Sequence, residues 1–353
     1  MNLEKRISAF AKLGDYLHEF LQFDESRSSS LQFDKNSFQE FEAILAKAKS
    51  HNAWFTRKNL ELALASWATS LSRENLEKWL KPYSIAEESH KTVAIIMAGN
   101  LPLVGFHDFL AVLLSGKKVL AKLSSDDKFI LPFLSKVLTS IAPGFSGRIH
   151  FAEAKLEGFD AVIATGSSNT SRYFEYYFKK KPHIIRKNRN GAAVLTGRET
   201  SKQLEALGQD IFRFFGMGCR SVSQLFVPRD YDFKAFFEAM VKQAEVINHH
   251  KYANNYDYNK AVYMMSLYPI LDNNFMILKQ DEGFSSPIAV VFYAYYDTQE
   301  ALREYLVAQG EKIQCVVSSG FIAGEVPFGE AQEPKLWDYA DGVDSIEFLS
   351  KIG

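Results

Sequence analysis

The sequence predicts an α/β protein with a helical N-terminus, and three observations carry that prediction. From Thr92 onward, short runs rich in β-branched and other apolar residues alternate with amphipathic ones: TVAIIMA, then KVLAKLS, then DAVIAT. Strand, helix and strand repeated in this way give a parallel sheet, because each parallel connection needs a crossover. Before Thr92, apolar residues recur at helical spacing instead. At 353 residues the chain exceeds the size at which one core keeps growing, so two domains are expected.

Residues 1–83 read as helices, the clearest over Thr56–Leu80, where Leu60, Leu64, Trp67 and Leu71 share a face and Pro82 ends the run. The stretch Lys128–Ile141 is amphipathic and supplies a crossover helix. Further strands are expected at Ala192–Thr196, Ser223–Pro228, Val262–Met265, Phe275–Lys279, Pro287–Ala294 and Ile313–Ser318, which makes the second half α/β as well. Asn248–Asn259 (NHHKYANNYDYN) is polar and aromatic and reads as a long exposed loop.

Charge and cysteine content narrow the classes of function. Forty-one basic against 42 acidic residues, with no basic tract, argue against a nucleic-acid partner. The first twenty residues lack the apolar core of a signal peptide, and no apolar run reaches the length of a membrane span. Cys219 and Cys315 are too few for a disulfide framework or a cysteine-built metal site, so no metal is expected and a reducing cytoplasm is the expected location.

Four constellations could carry chemistry, and each has two readings. Met97–Pro102 (MAGNLP) follows a strand, where ligands of open α/β sheets collect; Asn100 could offer its amide to a site or simply cap a helix. Lys122, with Ser124 and Ser125 behind it, could hold ribose or phosphate or be a solvated strand end. Ala164–Asn169 (ATGSSN) places Gly166 and Ser167 where a helix N-terminus could receive a pyrophosphate, although no G-x-G-x-x-G pattern accompanies it. In Phe214–Ser221 (FFGMGCRS), Cys219 follows two glycines; it is a nucleophile or a small buried hydrophobe, and Arg220 would lower its pKa if it points inward. Cys315, mid-strand in KIQCVVSS, reads as packing.

Taken in order, GNLPLVGFHDFL, VLAKLSS, IATGSSNTSRYF, GMGCRS and Glu282-Gly283-Phe284 before Pro287-Ile288 resemble the aldehyde dehydrogenase superfamily over residues 90–353. Within it the sequence is most similar to the LuxC-type acyl-CoA reductases, whose fatty-acyl members make aldehyde for bacterial bioluminescence. The resemblance implies an aldehyde dehydrogenase-like fold, with a Rossmann-type cofactor domain and an α/β catalytic domain. It divides the chain into residues 1–190 (helical N-terminus and nicotinamide dinucleotide-binding domain), 191–335 (catalytic domain with Cys219) and 336–353 (a C-terminal strand serving as oligomerisation arm, consistent with a homodimer). By the same resemblance Cys219 accepts the acyl group and Asn100 stabilises its oxyanion. Lys122, with Ser124 and Ser125 nearby, binds the adenosine ribose; Gly166 and Ser167 lie beside the pyrophosphate, and Glu282 and Phe284 beside the nicotinamide ribose and ring. His107 reads as a proton donor or as a packed helix residue.

One departure from the superfamily pattern sharpens the expected reaction. Aldehyde-oxidising members carry a glutamate base in the stretch that here reads Ile185-Arg186-Lys187-Asn188-Arg189-Asn190-Gly191. Without a base to activate water, an acyl-enzyme hydrolyses slowly and survives to accept hydride. The expectation is therefore an acyl-CoA reductase. Where NAD-preferring relatives often place a glutamate after Lys122, this chain has Ser125 or a neighbour, so NADPH is the expected cofactor with NADH as the alternative. Acyl phosphate reduction, aldehyde oxidation, a cysteine acyltransferase and a non-catalytic acyl-binding subunit are the other readings.

Overall fold

The chain divides into two units in the computed structural model, which describes residues 1–24 and 31–352. One comprises Met1–Lys187 with Lys335–Gly353, the other Asn188–Pro334. The first unit opens with α1 (Leu3–Leu21), started by Asn2, whose side chain accepts from the Lys5 amide at 3.0 Å. Its buried face, Phe10, Leu13, Leu17 and Phe20, meets α2 (Lys35–His51) through Phe38 and Phe41. Residues 25–30 of the stretch expected to be helical lie outside the described residues. The helix expected over Thr56–Leu80 is two helices, α3 (Arg57–Ser70) and α4 (Arg73–Leu80). Ser72 restarts the chain by accepting from the Asn75 amide, a cap hidden inside an otherwise continuous apolar spacing.

A five-stranded parallel sheet follows, built from β1 (Thr92–Ile96), β2 (Lys118–Lys122), β3 (Ile149–Phe151), β4 (Ala161–Thr165) and β5 (His183–Arg186). Its order is β3-β2-β1-β4-β5, with Val93 opposite Val119 on one side and Ala161 on the other. The crossovers are α5 (Phe106–Leu114), α6 (Ile130–Ile141) and α7 (Ser168–Phe178). The near-continuous burial of β1 and β4 is what helices on both faces require. The short edge strands β3 and β5 have too few residues to show a period, and sequence reading missed both.

The second unit contains β6 (Asn190–Val194), α8 (Ser201–Phe212), β7 (Val222–Pro228), α9 (Phe233–Met240), α10 (His250–Met265), β8 (Ile270–Asp272), β9 (Ile277–Gln280), β10 (Val290–Tyr296), α11 (Gln299–Ala308) and β11 (Ile313–Val317). Its sheet runs β11-β6-β7-β10-β9-β8, parallel except for β8 at the edge. Two expectations fail at α10: the loop at Asn248–Asn259 and the strand at Val262–Met265 are mostly one helix. Its inward positions are Tyr252, Tyr256 and Asn259, at helical spacing but polar-tipped. Their tips reach the Phe275 carbonyl (3.0 Å), an Asp272 carboxylate oxygen (2.7 Å) and the Ile288 carbonyl (3.0 Å). A face held by hydrogen bonds leaves no apolar period to read.

The closing segment is corrected as well: where a strand was expected, α12 (Ser345–Ser350) forms, capped by Asp344. It belongs to the first unit. There Tyr339 accepts from Trp79 at 2.7 Å and meets Tyr83 at 2.8 Å, while Tyr83 donates to Asp344 at 2.5 Å. Among the described residues, no helix is long and apolar enough to cross a membrane.

Candidate active site

In the first unit, strand order reverses beside β1: β2 and β3 continue on one side, β4 and β5 on the other. The crevice at the carboxyl ends of strands where order reverses is where open α/β sheets take their ligands. Asn100 follows β1 and is exposed, Lys122 ends β2 and is exposed, and Gly166 and Ser167 follow β4. Ser167 caps α7, accepting from the Thr170 amide at 3.3 Å. A Cβ at Gly166 would lie 3.0 Å from the Phe174 ring and 3.1 Å from Thr170, so α7 packs closely on the strand end at this glycine. Thus the sheet topology brings Asn100, Lys122, Gly166 and Ser167 to one edge.

The turns around them are tightly nested. A Cβ at Gly99 would stand 2.5 Å from the Cβ and Oγ of Ser124, while Ser125 is held through its carbonyl by His51 at 2.8 Å. Gly99→Ala is expected to cost ~1–3 kcal/mol, read in chemical denaturation, with Ser124→Gly in the same chain restoring most of it. Asp127 is buried behind this turn and accepts from the Leu103 amide at 2.7 Å, supporting Leu103 in a left-handed conformation (φ 58°). Burial pushes its carboxyl up to about 6, against the lowering by that amide. The folded chain therefore holds the proton that the unfolded chain releases near 3.8, so this group's contribution to stability falls as pH rises from about 4 to about 6. Asp127→Asn should flatten that slope; urea titrations at pH 4, 5, 6 and 7 measure it.

In the second unit Cys219 is exposed and sits inside a turn, closed by the Ser221 amide donating to the Gly218 carbonyl at 3.0 Å. The Gly218 amide donates to Ser221 Oγ at 3.1 Å. The chain enters this turn through three consecutive left-handed residues, Phe214 (φ 53°), Phe215 (φ 59°) and Gly216 (φ 73°). Two bulky residues in that region carry a conformational cost of ~1–2 kcal/mol each, the kind of local strain that clusters at functional sites. Arg220 Nε donates to the Ala331 carbonyl at 2.6 Å. Cys315 is buried, and burial pushes its thiol up to about 11.

Glu282 is exposed between β9 and β10, whereas Phe284 is buried against Phe226 and Tyr305. Ser223, on β7 just after the cysteine turn, donates to the Phe284 carbonyl at 2.5 Å and ties the two segments together. The basic stretch has its own structural use. Arg186 is buried, pairs with Asp108 at 2.7 Å and donates to the Ala340 carbonyl at 2.7 Å; Lys187 pairs with Glu175 at 2.9 Å. His107 is packed, with its Nε2 on the Leu336 carbonyl at 2.8 Å and its ring beside Trp79. Burial lowers its pKa.

Sequence reading missed Asp108, Asp127 and Asp210. Asp210 had a usable signal: it falls on the apolar stripe of α8 with Leu207 and Ile211, where an acid has no reason to be unless something binds it. Burial pushes its carboxyl up to about 6. No group of three or more metal-ligating side chains occurs among the described residues.

Comparison with known proteins agrees with the topology. Similar solved structures include aldehyde dehydrogenase 21 from Physcomitrella patens in complex with its product succinate (12% identity, TM-score 0.69, covering 100% of this chain and 84% of that one). The P. syringae indole-3-acetaldehyde dehydrogenase AldA, solved with NAD+ and IAA, matches at 13% identity and TM-score 0.64, over 92% of this chain and 74% of that one. An aldehyde dehydrogenase from Bacillus cereus, solved with NAD+, matches at 14% and 0.61, over 90% and 72%. At such identities the likeness establishes the aldehyde dehydrogenase-like fold. No curated protein matches the sequence significantly. The family model for the acyl-CoA reductase LuxC matches residues 15–264, well over half of the chain. The chain belongs to the LuxC acyl-CoA reductase family.

Proposed function

We propose that this protein reduces an acyl-CoA to an aldehyde through a thioester on Cys219, with NADPH as hydride donor and a fatty acyl group as substrate. The observation that carries the reading is the contrast between the two cysteines. Cys219 is exposed in a turn held on both sides, while Cys315 is buried with its thiol pushed up to about 11, far from the thiolate a nucleophile needs. In this reading the Cys219 sulfur bonds to the acyl carbon, the carbon–sulfur bond to CoA breaks, and CoA leaves as its thiolate. Asn100 donates its amide N–H to the developing oxyanion.

A dinucleotide fits the strand-order reversal in the first unit, where α7 presents its N-terminus behind the Gly166–Ser167 turn. Lys122 and the Ser124–Ser125 turn would hold its adenosine ribose, Gly166 and Ser167 its pyrophosphate, and Glu282 its nicotinamide ribose. When bound, it would supply the hydride that takes the acyl group to the aldehyde level, and the carbon–sulfur bond to Cys219 breaks as the aldehyde leaves, restoring the thiolate. The segment Ile185–Gly191 holds no carboxylate to activate water, so the thioester is spared hydrolysis.

The test is NADPH oxidation measured with acyl-CoAs of increasing chain length, beside an acyl phosphate and the matching aldehyde with NADP+. Acyl-CoA should be the fastest, with long chains preferred. Faster turnover of the acyl phosphate, or aldehyde oxidation exceeding both, would overturn the reading.

A further inference from the structure

The residues flanking Cys219 are gripped by the segment Gly329–Glu333, and that segment is in turn bound to α8 by one buried carboxylate. Asp210, in the last turn of α8, is fully buried. Its two oxygens accept from the Gly329 amide at 2.6 Å and the Ala331 amide at 2.9 Å. Gly329, left-handed at φ 90°, lies so close to α8 that a Cβ there would stand 3.0 Å from the Cβ of Ala206. Arg213 pairs with Glu333 at 2.6 Å and completes the attachment along this side.

The other side of the same segment faces the cysteine turn. The Ala331 carbonyl accepts from Arg220 Nε at 2.6 Å, and Gln332 Nε2 donates to Ser221 Oγ at 2.9 Å. Ser221 Oγ also accepts from the Gly218 amide at 3.1 Å. Gly218, Arg220 and Ser221 are therefore all held, directly or through one atom, by a segment whose backbone is fixed by Asp210. A carboxylate is suited to this task because it accepts from two convergent N–H groups, which an amide side chain does with only one of its two atoms.

We propose that Asp210 is a positioning residue for Cys219, acting through residues 329–332 to set the pose of the Gly218–Ser221 turn. The proposal rests on Cys219 being the acyl acceptor. A misplacement of about 1 Å at a reacting group costs on the order of 10²-fold in rate, so a clamp on the residues either side of Cys219 is one the reaction would register.

Two variants of the full chain test it. Asp210→Asn keeps the shape but sets an amide N–H₂ against a backbone donor; Gln332→Ala cuts only the link to Ser221 and leaves no buried charge. The first readout is single-turnover release of CoA from a saturating acyl-CoA, with NADPH affinity measured in parallel. Release should slow about 100-fold in Asp210→Asn and about 10-fold in Gln332→Ala, with NADPH affinity unchanged. The second readout is amide hydrogen exchange, expected to quicken at 218–221 in both variants. Wild-type release and exchange in a folded Gln332→Ala would overturn the proposal, even if Asp210→Asn failed to fold. If the wild-type chain releases no CoA at all, the reductase reading falls and exchange at 218–221 decides this one.

Discussion

Cys219→Ala is expected to lower acyl-CoA-dependent oxidation of NADPH by at least ~10³-fold, because it removes the sulfur proposed to accept the acyl chain and the other thiol, Cys315, is buried. NADPH should still bind, read by the quench or enhancement of its fluorescence on titration, since the strand-order reversal proposed to hold it lies in the first unit. Cys315→Ala is the matched control. Its side chain is buried with Sγ 3.7 Å from the Arg220 carbonyl, so its loss should trim stability and spare most of the turnover. If Cys219→Ala turned over normally, covalent catalysis at this residue would be excluded.

The second large effect concerns folding. Arg186 and Asp108 form an ion pair with side chains only 6% and 9% exposed. Replacing one member leaves the other as a buried charge without its partner, which costs about 3–5 kcal/mol. Arg186→Ala should therefore shift the urea midpoint far more than Lys187→Ala, whose pair with Glu175 is half exposed and worth little. Arg186→Met combined with Asp108→Leu should recover most of the loss, because an apolar pair of similar size has no charge to desolvate. An Arg186→Ala variant within 1 kcal/mol of the parent would mean that Asp108 finds solvent when its partner is gone.

That ion pair also changes the meaning of the basic stretch. The sequence shows that Ile185–Gly191 contains no carboxylate, and the inference about hydrolysis depends only on that. Why arginine stands at 186 was not legible, because Asp108 lies 78 positions away on α5 and nothing local points to it.

The same contrast holds for the elements. Long or strongly patterned segments were read correctly: the helices before Thr92, the strands β1, β2 and β4, and the crossover α6, because burial on one face or both leaves a period in the sequence. The interruption at Leu71–Ser72, the polar-faced α10 and the terminal α12 were not. Each is decided by hydrogen bonds to a cap or to distant carbonyls rather than by apolar spacing.

For the candidate site, the sequence by itself determined the residue types and their order along the chain: Asn100, Lys122, Gly166, Cys219, Glu282. Each local signal, a glycine turn, a strand-end lysine, a cysteine after two glycines, had a structural reading beside it, and their order along the chain, by its resemblance to the family, is what marked them as one site. Tertiary structure alone decided that Cys219 is exposed while Cys315 is buried, that Phe284 packs inside its unit, and that Asp210 reaches the cysteine turn through residues 329–332. Exposure and long-range hydrogen bonds depend on which parts of the chain meet, and contacts between residues 119 positions apart leave no periodic trace in the sequence.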